Sequence, residues 1–136
     1  MITYYLLMLK KIDHIGIAVA DLAASRPLFE RVLGLELVRE STSERAKVAF
    51  FRLGDSEIEL VEFLTPERRE ATLRGEAVGR LDHIAIEVDD LDHATAELRT
   101  QGVKHGDLIH GMVGTSVQTE PQTTGGVALQ FVERKR

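Results

Sequence analysis

The chain has 136 residues, 43% hydrophobic content and a formal charge of −5 from 22 acidic against 17 basic residues, enough for one ordinary core or for two very small modules that share one. The basic residues form no long block, which argues against a nucleic-acid partner. Cysteine is absent, so disulfides and thiolate metal sites are excluded and any metal must be held by nitrogen and oxygen ligands.

Met1 to Met8 is apolar but far shorter than a membrane span, and it has neither a basic leader nor a small-residue cleavage site. It reads as an extension ahead of Met8, itself a possible start. A cytoplasmic protein without a membrane partner is expected. From Ile12 the chain alternates, with Ile15, Ile17 and Val19 on one face and His14, Gly16 and Ala18 on the other, the period of a half-buried strand. Asp21 or a neighbour then caps a helix carrying Leu28, Phe29, Val32 and Leu33, with Gly34 as terminator. Pro27 limits where that helix starts, since proline is comfortable only within a first turn. Three β-like runs come after it, Leu35 to Glu40, Lys47 to Leu53 and Glu57 to Phe63. Thr65 to Arg80 is polar and charged, and suits a partly helical connector.

At Leu81 the chain begins again. Ile12-Asp-His-Ile-Gly-Ile-Ala-Val-Ala-Asp-Leu22 returns as Leu81-Asp-His-Ile-Ala-Ile-Glu-Val-Asp-Asp-Leu91, 69 residues on, and seven identical positions in so short a window mark a duplicated module. Asp90 precedes Leu91, Ala94 and Leu98 at helical spacing, Gly102 ends the run, and weaker strands lie around Val103 to Ile109, Thr115 to Thr119 and Val127 to Glu133. Each copy therefore reads β-α-β-β-β: a first module over 9–64, a connector over 65–80 and a second module over 81–136. The expected fold is α+β, with two tandem βαβββ modules forming one open, cleft-shaped mixed sheet and helices on its outside.

Matched positions single out the chemistry. His14 and His83 occupy the same place on the first strand of each copy, on the face that carries small residues. Glu59 and Gln130 occupy the same place on the last strand, among apolar neighbours where a polar residue has little reason to sit. Two imidazoles and two oxygen donors make a workable shell for one divalent ion, Co, Ni, Zn, Mn or Fe. Taken singly, a histidine after an aspartate at a strand start is an ordinary surface or hydrogen-bonded residue; the repetition is what raises the pair to a metal site. Glu62 and Glu133 also match, but their parity points them away from the cleft, as it does Asp13 and Asp82. His93 is read as a solvated helix residue and His105 and His110 as loop residues. Arg26, Arg39, Arg45 and Lys47 are read as solvated surface charges rather than a phosphate site.

With these stretches, together with Val32-Leu-Gly-Leu35, Gly54-Asp-Ser-Glu-Ile-Glu-Leu60 and Thr124-Gly-Gly-Val127, the chain resembles the vicinal oxygen chelate superfamily over Lys11 to Glu133. Within it the closest likeness is to the methylmalonyl-CoA epimerases. The resemblance implies a metal at His14, Glu59, His83 and the position of Gln130, where relatives usually carry a glutamate that is both ligand and base. Some relatives place glutamine on the first-module strand and glutamate on the second, so this chain carries the swapped arrangement, with Glu59 as the carboxylate. A second base seen in some epimerases falls near Val48, where no carboxylate stands. The resemblance further implies an isomerase abstracting the proton alpha to the thioester carbonyl of an acyl-CoA. Glu59 is then the base, Glu87 on the His83 strand face a second candidate, and the assembly a homodimer, as is common in the family. A glyoxalase I-like lyase and a non-catalytic ligand-binding protein are the alternatives.

Overall fold

The computed structural model describes residues 7–135, so the reading of the opening segment lies outside the described residues except at Leu7 and Met8. Those residues fall into two compact units, His14–Asp82 and the described remainder. In chain order the elements are β1 (Leu9–Val19), α1 (Leu22–Pro27), a π-helical turn (Leu28–Val32), β2 (Glu36–Thr42), β3 (Ala46–Leu53) and β4 (Ser56–Phe63). Next come α2 (Pro66–Leu73), β5 (Gly79–Val88), α3 (Leu91–Thr100), β6 (Ile109–His110), β7 (Gly114–Gln118), a 3-10 turn (Pro121–Thr123) and β8 (Leu129–Arg134). No helix among the described residues is long and apolar enough to cross a membrane.

In the first module β4 returns beside β1 in parallel, and β3 lies antiparallel to both β4 and β2, so the sheet is mixed. One face of it, with Val19, Ala49, Phe51 and Leu60, packs against Leu22 and Phe29 of the helical stretch. Phe51 and Leu60 are fully buried. The second module repeats the plan: β8 runs parallel to β5, β7 antiparallel to β8, and β6 antiparallel to β7. Its core is Val88, Leu91, Ala94, Leu98, Val117 and Phe131, with Leu7 packed against it. The α+β class and the βαβββ order are as expected.

Both module helices open on an aspartate. Asp21 Oδ1 accepts from Ala24 N at 3.2 Å and Asp90 Oδ1 from His93 N at 3.1 Å, each satisfying one of the free donors of a first turn. Gly34 and Gly102, with φ of +69° and +87°, take the left-handed conformation found just past a helix end. Pro27 does not lie in the first turn as expected. It closes α1, and the chain passes into the π turn, where Leu33 N donates to Leu28 O at 2.9 Å. A proline has no N–H to give to the preceding turn, and a change of helical register at that point absorbs the missing bond. Of the four apolar residues assigned to this helix Phe29 is buried, while Leu28, Val32 and Leu33 are exposed.

The other departure is β6, two residues long where the sequence pattern predicts a strand over Val103 to Ile109; His105 adds an isolated bridge to Thr119. Gly106 and Asp107 interrupt the run with turn-forming residues that pair poorly in a ladder.

Candidate functional site

The parallel return of the last strand beside the first is what assembles a half-site in each module. In the first, β1 and β4 pair so that His14 faces Glu57 and Gly16 faces Glu59; these residues share one face of the sheet, opposite the packed core. His14 is buried, with Phe50 of β3 set edge-on to its ring, centroids 5.5 Å apart at 86°. Glu59 Oε1 lies 3.4 Å from His14 Nε2. Two donors each about 2.0–2.1 Å from a tetrahedral cation are separated by about 3.3 Å, so this spacing fits a shared ion. Gly16, beside Glu59, is buried and contributes no side chain to this face.

In the second module Ala85 faces Gln130 across β5 and β8, and Gln118 of β7 flanks Gln130 on the other side. His83, two residues before Ala85, shares that face. Gln130 Nε2 donates to Ser116 Oγ at 2.9 Å, which leaves the amide oxygen as the end a cation would take. Glu87 lies on the same face, buried, with its Oε2 3.7 Å from Lys10 Nζ.

The matched acids of opposite parity take a different role, as their parity implies. Glu62 Oε1 accepts from Leu22 N at 2.9 Å and Glu133 Oε1 from Leu91 N at 2.8 Å, so each ties the last strand of its module to the first turn of its helix. Asp13, only 1% exposed, is held by Arg134, whose Nε and Nη2 donate to its two oxygens at 2.5 and 3.3 Å. His93 is exposed on α3. His105 contacts Arg99 and Gly106 O, and His110 falls in β6.

Arg39 corrects the reading of a solvated charge. Its side chain is 18% exposed, and it binds Glu57 bidentately, Nη2 to Oε1 at 2.5 Å and Nη1 to Oε2 at 3.1 Å. Its guanidinium carbon stands 4.3 Å from the centroid of Phe50. Arg39, Glu57, Phe50 and Ser116 are absent from the site expected on sequence, although Glu57 alternates with Glu59 on one strand and shares its face on parity alone.

A family model described as the Glyoxalase/Bleomycin resistance protein/Dioxygenase superfamily matches residues 13–114. The protein YqjC of Bacillus subtilis is 33% identical over 132 residues, 93% of this chain and 94% of its own. The crystal structure of methylmalonyl-CoA epimerase from Mycobacterium tuberculosis superposes with a TM-score of 0.86 at 26% identity, covering 95% of this chain and 91% of that one. A methylmalonyl-CoA epimerase in complex with methylmalonyl-CoA and NH4+ gives 0.84 at 25%, over 93% and 95%.

Proposed function

The chain belongs to the glyoxalase/bleomycin resistance protein/dioxygenase superfamily, and from that premise we propose that it is a metal-dependent isomerase of the methylmalonyl-CoA epimerase kind, acting on an acyl-CoA. One divalent ion, Co, Ni, Zn, Mn or Fe, would be held by His14, Glu59 and His83, which offer ligand atoms suited to it, with the amide oxygen of Gln130 as a fourth donor. The observation that carries the reading is the 3.4 Å spacing of His14 Nε2 and Glu59 Oε1, a ligand pair whose positions recur in the second module as His83 and Gln130. Such an ion would supply Lewis-acid stabilisation of the charge that grows on a thioester oxygen as the adjacent C–H is broken.

The chain's own groups handle the proton. Glu59 accepts it from the α-carbon on one face, since an amide at Gln130 has no basic oxygen for the task. Inversion requires return of a proton to the other face, which the reading assigns to Glu87. His14, buried with the Phe50 ring set edge-on to it, would keep its imidazole fixed as a ligand rather than take part in the proton transfer. The reading includes a homodimer, which would cover the exposed Leu28 and Val32 of the π turn and Leu33 just after it; light scattering after gel filtration reads it directly.

The test is metal analysis of protein purified without chelators, paired with a racemisation assay on methylmalonyl-CoA and solvent deuterium exchange. One ion per chain and EDTA-sensitive racemisation are expected, with Glu59→Gln abolishing exchange. A second reading, a glyoxalase I-type lyase, is favoured by the carboxylate at Glu59; lactoylglutathione formation without racemisation would establish it instead. Neither ion nor turnover would leave a ligand-binding protein.

A further inference from the structure

The face of the first module that carries His14 holds two carboxylates. Glu57 and Glu59 alternate about Ile58 on β4, and the register sets Glu57 beside His14 and Glu59 beside Gly16. Paired strands are about 4.8 Å apart, so a glutamate at either position has the length to reach the imidazole and anything bound to it. Glu59 is turned that way, 3.4 Å from His14 Nε2. Glu57, buried, has both its oxygens gripped by the forked guanidinium of Arg39. A carboxylate held at both oxygens by a guanidinium is a poor metal ligand, because binding a cation would mean giving up two charge-assisted hydrogen bonds.

Arg39 is itself held in place. It sits across from Phe50 in the β2–β3 register, and Phe50 lies under the guanidinium on one side and against His14 on the other. Arg39 Nε is buried with no hydrogen-bond acceptor, a cost that the contact with the ring face offsets. Burying such a pair costs solvation on both charges, and an apolar pair of the same volume would do as well for stability. A half-buried arginine whose partner is a buried carboxylate within reach of the centre therefore calls for a role beyond packing.

We infer that Arg39 is a positioning residue that sets the ligand count of the centre: it withholds Glu57, so that this module supplies one imidazole and one carboxylate. The inference rests on the metal reading of Glu59 and the two histidines. Release of Glu57 would enrich the shell in anionic oxygen, which shifts preference toward hard ions such as Mn2+ and fills a position otherwise open to substrate oxygens.

Cobalt titration of the metal-stripped full chain tests this, read by visible absorption and by competition with Mn2+. Arg39→Met should lower the intensity of the cobalt d–d bands, as an added ligand raises the coordination number, and should raise the affinity for Mn2+ on the order of tenfold. Adding Glu57→Gln to Arg39→Met should restore the original spectrum. Glu57→Gln alone and Arg39→Lys should leave the spectrum unchanged. Should Arg39→Met fail to fold, by circular dichroism, Arg39→Gln carries the same comparison. An unchanged spectrum and Mn2+ affinity in the arginine variant, or a change that persists in the double variant, overturns the inference and leaves the metal reading standing. A wild-type chain that binds no cobalt overturns both.

Discussion

Replacing Arg134 with methionine keeps the length of the side chain but removes both hydrogen bonds to Asp13, a carboxylate with 1% exposure. Taking one partner from a fully buried ion pair costs about 3–5 kcal/mol, because the remaining charge is desolvated without compensation. Arg134 is 23% exposed, so water can approach the vacated place, and the expected loss is nearer about 2–3 kcal/mol. For a chain of this size that corresponds to a fall in Tm of about 8–12 °C. The assay is urea denaturation followed by circular dichroism, where the midpoint should fall with the slope unchanged. The double variant Asp13→Asn with Arg134→Met should recover part of the loss, since no buried charge remains. A single variant within about 0.5 kcal/mol of wild type, or a double variant less stable than the single, would show that the pair is not the buried tie described. The consequence reaches the site, because Asp13 directly precedes His14 on β1.

The two strand-to-helix ties should behave alike. Glu62→Ala and Glu133→Ala each leave one first-turn N–H of α1 or α3 without its acceptor, and each should cost about 1 kcal/mol by thermal denaturation, adding in the double variant. Phe51→Ala, at a position with 0% exposure, should cost about 3–5 kcal/mol and leave the first module the less protected in hydrogen exchange. Ser116→Ala removes the hydroxyl that holds the Gln130 amide; metal affinity by calorimetry should fall on the order of tenfold with the fold intact.

Much of the architecture was legible because it is written twice. The alternation of Ile15, Ile17 and Val19 and its return after 69 residues mark two equivalent strands, and their parity alone assigns His14 to the open face and Glu62 to the helix face. Pairings between strands lay beyond a linear reading. Arg39 and Glu57 stand 18 positions apart, and an arginine in a polar strand looks solvated until the fold brings a carboxylate to it. The same holds for Ser116 and Gln130, separated by 14 positions. The π turn after Pro27 escaped for a local reason: residue spacing marks an apolar face but does not distinguish one hydrogen-bond register from another. The weak β6 has its cause in Gly106 and Asp107, whose turn chemistry outweighs the apolar residues around them.

The proposed function stands or falls on one cation drawing ligands from both modules. Calorimetric titration of chelator-stripped protein with Co2+, run on wild type, His14→Ala and His83→Ala, puts that to the test. One ion per wild-type chain is expected, with loss of that same binding event in either single variant. A His83→Ala chain that still binds one ion with unchanged affinity would mean that the second module contributes no ligand.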